Sequence, residues 1–106
     1  MAVKVVHPER KVVTVCGDGG FTMNSQESEI AVRLELDLLV IILNDSSYGM
    51  IKWKQVGMGF DNFGLDYNNP DFVLYAHSYG AIGHRRDSCD EFVSILDRTL
   101  NSKGVI

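Results

Sequence analysis

Val12-Val13-Thr14-Val15-Cys16-Gly17-Asp18-Gly19-Gly20 opens as a β-branched run and stops abruptly in glycines around a single acid. Leu38-Leu39-Val40-Ile41-Ile42-Leu43-Asn44-Asp45 repeats the plan, an apolar run closed by an amide and an acid. Nearly continuous apolar runs of this length suit strands covered on both faces, as in a parallel sheet. Between them Met23, Ile30, Ala31 and Leu34 recur near one helical face, with Glu29, Arg33 and Glu35 outside it. Strand, glycine turn, helix and strand make one right-handed βαβ unit. The expected fold class is α/β: a three-layer sandwich with a mainly parallel sheet, with residues 12–16 and 38–43 at its centre.

Both acids fall at the carboxyl ends of these strands, the edge at which open α/β sheets bind ligands. Glycine backbone beside Asp18 can approach a phosphate closely, and two oxygen-rich strand ends can share a hard divalent cation. The pairing therefore reads as a metal–diphosphate site, with Asp18 as one anionic ligand. The plain alternative is a pair of turn aspartates capping loops.

The same residues carry a family resemblance. Gly-Asp-Gly followed one strand later by Asn-Asn or Asn-Asp is the thiamine-diphosphate fingerprint. The wider text, Gly17-Asp18-Gly19-Gly20-Phe21-Thr22-Met23-Asn24 and Leu43-Asn44-Asp45-Ser46-Ser47-Tyr48-Gly49-Met50, resembles the carboxy-terminal cofactor domain of acetolactate-synthase-like enzymes. The likeness continues through Asn69-Pro70-Asp71-Phe72 and Ser78-Tyr79-Gly80-Ala81. By this resemblance the cofactors are thiamine diphosphate and Mg2+. The metal ligands it implies are Asp18, Asp45 and the backbone carbonyl of Ser47. Many relatives carry Asn at the Asp45 position, and Asp keeps the oxygen while adding charge. Gly17, Gly19, Gly20, Ser47, Tyr48, Gly49 and Met50 are the implied cofactor contacts, and Asn44 orients the turn.

The implied function is the diphosphate- and Mg-binding half of an enzyme that decarboxylates and ligates 2-ketoacids such as pyruvate. The resemblance assigns no catalytic residue to this chain, because the other half, a pyrimidine-binding domain or subunit, supplies the activating glutamate. Catalysis by this chain alone is not expected. In acetohydroxyacid synthases a tryptophan selecting the larger ketoacid falls where this chain has Lys54, next to Trp53. That departure leaves acetolactate synthesis, or another ketoacid decarboxylation or ligation, open. The alternative is a non-catalytic α/β binding or regulatory module, or a truncated remnant of such an enzyme.

Composition sets the outer bounds. A chain of 106 residues with 45% hydrophobic residues is one domain with material for a core, read as a single, partial cofactor domain, truncated at both ends. A net charge of −4 and no lysine-arginine run argue against a nucleic-acid partner. Cys16 and Cys89 stand apart, without CxxC or Cys/His clustering, so neither a disulfide framework nor a structural zinc site is expected. His7, His77 and His84 show no ligand spacing with one another. The longest apolar run, 38–43, is far short of a membrane span, no signal peptide is evident, and a cytoplasmic setting is the default.

The remaining text divides at its punctuation. Asn24 and Glu27 have capping-box spacing for the crossover helix, with Ser25 the other cap candidate. Residues 48–55 suit a short helix. Residues 56–69 form a glycine-bearing loop whose Phe60, Phe63 and Tyr67 need a surface to pack on. Asn69-Pro70-Asp71 reads as a helix start, and Ser88 with Glu91 as a second capping box. Residues 81–84 and 105–106 are short strand candidates. The apolar surface left over predicts a homo-oligomer.

Overall fold

The computed structural model describes residues 1–106. Strands β1 (Val12–Gly17) and β2 (Leu38–Leu43) run parallel, in register from Val12 opposite Leu38 to Gly17 opposite Leu43. Their valines and isoleucines fit a pleated surface better than a helix, since branched side chains keep little rotamer freedom against a helical turn. The register brings the two strand ends level, so Asp18 and Asn44 each stand one residue beyond the pair. This bears out the α/β class and the parallel pairing.

Six helices accompany the pair: α1 (Ala2–Val6), α2 (Asp18–Met23), α3 (Glu27–Arg33), α4 (Gly49–Gly57), α5 (Phe72–Ser78) and α6 (Cys89–Leu100). The crossover expected as one helix is split. Helix α2 starts on the residue after β1, and Asn24 closes it, its N–H bonding to the Phe21 carbonyl at 3.2 Å. Asn24 therefore cannot cap α3, and the Ser25 hydroxyl instead accepts from Tyr75 Oη at 2.8 Å. Ala31 is buried as expected, whereas Met23 and Leu34 are exposed.

A second start also moves. Asp71, not Asn69, caps α5: its Oδ1 accepts from the N–H groups of Val73 at 2.9 Å and Leu74 at 3.0 Å. Asn69 is engaged elsewhere, and Pro70 stays outside the helix. Ser88 caps α6 as its spacing indicates, with Oγ accepting from Glu91 N–H.

Strand β2 has a neighbour on each side. Beyond it, Leu38 N–H donates to Gly104 and Ile106 N–H to Leu38, and Val40 N–H reaches the Ile106 carbonyl. Val105 bridges Leu38 in parallel, and Ile82 N–H donates onward to Val105, the single main-chain bond that residues 81–84 give to this edge. Asp37 Oδ1 accepts from Gly104 N–H at 2.7 Å, fastening this third segment beside β2. β1 pairs with β2 alone, so it lies at the sheet edge rather than the expected centre. Nor is it covered on both faces: Val13 and Val15 are exposed.

The core gathers on the other side, where Ala31, Leu38, Ala81 and Val105 are buried with Val12, Val40 and Ala76 packed around them. Gly83 belongs to the same packing. A Cβ there would stand 2.8 Å from Val73 Cα and 2.9 Å from its carbonyl oxygen, main-chain atoms of α5 that cannot swing aside. Replacing Gly83 with alanine should therefore push α5 from the sheet and lower the urea midpoint. Leu38→Ala should destabilise by about 2–5 kcal/mol and Asp71→Ala by about 1 kcal/mol, both readable in equilibrium denaturation.

Candidate functional site

Asp18 is the most deeply buried large side chain of the molecule, at 2% exposure. Four donors hold its carboxylate. Gly19 N–H at 2.8 Å and Tyr67 Oη at 3.0 Å donate to Oδ1; Ser46 N–H at 2.8 Å and Asn69 Nδ2 at 2.5 Å donate to Oδ2. Burial works against ionisation, but the Asn69 amide, the two backbone N–H groups and the Tyr67 hydroxyl outweigh it. They hold the carboxyl below its ordinary range. All four donors are neutral, and none of the chain's ion pairs involves Asp18.

The donors depend on local backbone chemistry. Ser46 adopts a left-handed φ of 56°, which turns the chain after β2 so that its N–H meets Asp18. Residues 65–67 then fold back along this turn: Tyr48 N–H donates to Leu65, Tyr67 N–H to Ser46, and Ser47 bridges Asp66 in antiparallel sense. Leu65 is buried, and Lys52 holds Asp66 through a 2.9 Å ion pair. The Tyr67 ring lies 4.7 Å from that of Tyr48. Its own burial, then the hydrogen bond to Asp18 and the charge of that carboxylate, push the Tyr67 hydroxyl up to about 12, so it stays a donor at neutral pH. Gly19 must remain without a side chain, since a Cβ would meet Tyr48 Cε1 at 2.7 Å and Tyr67 Oη at 2.8 Å.

An open cleft of about 600 Å³ lies beside Asp18. Gly17, Gly19, Gly20, Asp45, Ser47, Tyr48, Gly49 and Met50 are among the residues that line it. Every residue singled out in the sequence as a metal or cofactor contact is thus brought to one cavity. Their amides are not equally available. Gly19 N–H is given to Asp18, Ser47 N–H to Asp45 Oδ1 at 3.2 Å, and Tyr48 N–H to Leu65. Gly49 and Met50 open α4, where Ile51 and Lys52 are the first to bond back to the Tyr48 carbonyl, so their N–H groups have no partner in the helix.

Asp45 is exposed at the mouth of the cleft, and no third Asp, Glu, His or Cys joins it and Asp18 in a metal-binding group. Two carboxylates with carbonyl oxygen nearby suit a hard cation that completes its shell from phosphate and water. Asn44, expected to orient the turn, does so through Oδ1, which accepts from Ser46 Oγ at 3.4 Å and Asn69 Nδ2 at 2.9 Å. Met50 and Trp53 are about seven-tenths exposed, which removes core packing as their role.

Tyr67 and Asn69 were not anticipated at the site. Their signal was indirect: aromatic residues in a glycine-bearing loop, and an Asn-Pro that resembled a helix cap. Phe60 and Phe63 of the same loop stay exposed. Because the Asp18 carboxyl is held low, its stabilising contribution is complete above the ordinary carboxylate range and is lost as pH falls through the lowered folded-state value. Asp18→Asn should therefore be less stable than the parent at neutral pH, where its amide N–H faces donors. The gap in urea unfolding should close progressively below about pH 4.

The chain was then compared with known proteins. The sequence profile of the thiamine pyrophosphate enzyme C-terminal TPP binding domain matches residues 1–106. Acetolactate synthase of Bacillus subtilis is 38% identical over 106 residues, all of this chain and 19% of the relative. Catabolic acetolactate synthase of Raoultella terrigena is 36% identical over 100 residues, 94% of this chain and 18% of the relative. The chain thus spans about a fifth of these relatives. Among solved structures, a thiamine diphosphate-dependent 4-hydroxybenzoylformate decarboxylase of Rhodococcus jostii superimposes with a TM-score of 0.89 at 24% identity. That match covers 96% of this chain and 20% of the other. Benzoylformate decarboxylase of Polynucleobacter necessarius gives 0.88 at 27% identity, over 97% and 20%. The shared fold is the three-layer α/β type with a mainly parallel sheet. With its profile matched from end to end, the chain belongs to the family of C-terminal thiamine pyrophosphate binding domains of thiamine pyrophosphate enzymes.

Proposed function

We propose that this chain is the diphosphate- and Mg2+-binding half of an acetolactate-synthase-like enzyme, one that decarboxylates a 2-ketoacid such as pyruvate and ligates the product to an acceptor. The observation that carries the reading is the buried Asp18 carboxylate, kept ionised by neutral donors alone beside a cleft that also holds Asp45. An anionic oxygen buried without a cation of the chain's own suits an added one. Asp18, exchanging one of its four neutral donors for the cation, would hold Mg2+ together with Asp45 and the Ser47 carbonyl. The free amides of Gly49 and Met50, at the start of the nine-residue α4, would receive diphosphate oxygens. Gly17, Gly19 and Gly20 add no side chains to the cleft.

Thiamine diphosphate, once bound, supplies the electron sink for the carbon–carbon chemistry. The chain's own work is to grip and orient. Asp18 fixes the cation against the strand ends, Tyr67 and Asn69 hold the Asp18 carboxylate, and α4 presents its first amides. The reacting end of the cofactor needs a pyrimidine-binding domain or subunit, and without it the chain is inactive. Exposed Met50, beside the cleft, and exposed Trp53 and Phe63 further along support contact with a further polypeptide and a homo-oligomeric assembly. Two free cysteines support a cytoplasmic setting, and no helix of the chain is long and apolar enough to cross a membrane.

Titration calorimetry tests the proposal. The chain should bind thiamine diphosphate with Mg2+ present and lose that binding in a chelator. Asp18→Ala should weaken it by at least the roughly 10–100-fold that even outer-shell partners of a metal contribute. Equal affinity with and without metal, or an unchanged Asp18→Ala variant, would sink the assignment.

A further inference from the structure

Asn69 lies far along the chain from the glycine turn, yet its side chain reaches both strand ends. One nitrogen, Nδ2, donates to Asp18 Oδ2 at 2.5 Å and to Asn44 Oδ1 at 2.9 Å. It thereby ties the residue after β1 to the residue after β2. The oxygen of the same amide is buried and has no partner. Buried acceptors are ordinarily satisfied, so this one calls for a donor that the polypeptide does not provide.

The neighbours of Asn69 show why its contact differs from theirs. Each oxygen of Asp18 takes one main-chain donor, Gly19 or Ser46, and one side-chain donor, Tyr67 or Asn69. The main-chain pair sets where the carboxylate sits. The side-chain pair sets its plane, because Tyr67 holds Oδ1 and Asn69 holds Oδ2. The Tyr67 hydroxyl donates to Asp18 alone, whereas the Asn69 amide also holds Asn44, the residue preceding Asp45. A shift at Asn69 would therefore be felt at both carboxylates of the cleft.

We infer that Asn69 is a positioning residue of the metal site. Through Nδ2 it fixes the plane of the Asp18 carboxylate and the spacing of the two strand ends, and its unpartnered Oδ1 is left for a bound water. The inference rests on the metal-site reading above. Outer-shell partners of this kind typically contribute about 10–100-fold in metal affinity.

The test uses Mn2+ as the probe, titrated into the full chain in the presence of thiamine diphosphate. Affinity is read by calorimetry and ligand geometry by the electron paramagnetic resonance spectrum of bound Mn2+. Asn69→Ala and Asn69→Asp should each weaken Mn2+ roughly 10–100-fold and change its spectrum. The aspartate variant is decisive, because it keeps the shape of the side chain, removes the donor, and by charge alone would tighten binding. Asn62→Ala separates positioning from simple loop anchoring: it removes the Asn62–Asp66 bond of the same segment and leaves the donors to Asp18 in place. It should leave affinity and spectrum unchanged. Tighter Mn2+ in Asn69→Asp, unchanged Mn2+ in Asn69→Ala, or equal losses in Asn62→Ala would overturn the inference. So would loss of the folded circular-dichroism signal in both Asn69 variants, which would make Asn69 a determinant of folding. A parent chain that binds no Mn2+ would overturn the metal-site reading and this inference together. Parental binding that Asp18→Ala abolishes and Asn69→Ala spares would remove the inference alone.

Discussion

One carboxylate, buried where β1 gives way to α2, constrains everything around it. A charge in that position survives only if nearly all its lone pairs are used. Asp18 meets the requirement with donors from the glycine turn, the turn after β2, and two positions of the returning loop. Each demand shapes a local feature. The parallel register must bring Gly17 level with Leu43, Ser46 must take a left-handed conformation, and Gly19 must leave room for two tyrosine rings. Hydrogen bonds to a charged group are individually stronger than neutral ones, at about 1.5–3 kcal/mol each. The loop is therefore held by the site as much as the site is held by the loop.

Much of this was legible in the sequence where pattern and chemistry coincide. The two apolar runs closed by Gly17-Asp18-Gly19-Gly20 and Asn44-Asp45 fixed strand type, parallel pairing and the cleft, because such runs have few other structural uses. Ser88 with Glu91 was readable for the same reason. Asn69-Pro70-Asp71 was not, because asparagine serves equally as a helix cap and as a side-chain donor, and only the fold chooses between them. Asn24 failed similarly: spacing cannot tell the start of one helix from the end of another two residues earlier. The edge position of β1 was also hidden, since an apolar run records what a strand prefers to meet and not what lies beside it.

The distribution of apolar surface bears on assembly. Only 9 of 106 residues are buried, and the core they form is built from small side chains such as Ala31 and Ala81. The large ones are outside: Met50, Trp53, Val56, Met58, Phe60 and Phe63 follow one another along α4 and the loop after it. A contiguous run of this kind marks an interaction surface more often than a solvated one. It begins at Met50 in the lining of the cleft, so a partner covering it would also shield the proposed cofactor contacts from water.

The hydrogen bond from Gly104 to Asp37 has a bearing on the order in which the molecule forms. The two residues are 67 positions apart, while β1 and β2 meet across a connection less than half as long. Loop entropy rises slowly, by about 0.6 kcal/mol for each doubling, so the longer closure is only modestly disfavoured. Closing it brings together positions separated by α4, α5 and α6, the kind of distant contact that slows folding. The shorter β1–β2 closure is therefore expected to set the strand ends first, with the third segment then added on the far side of β2 to cover Leu38.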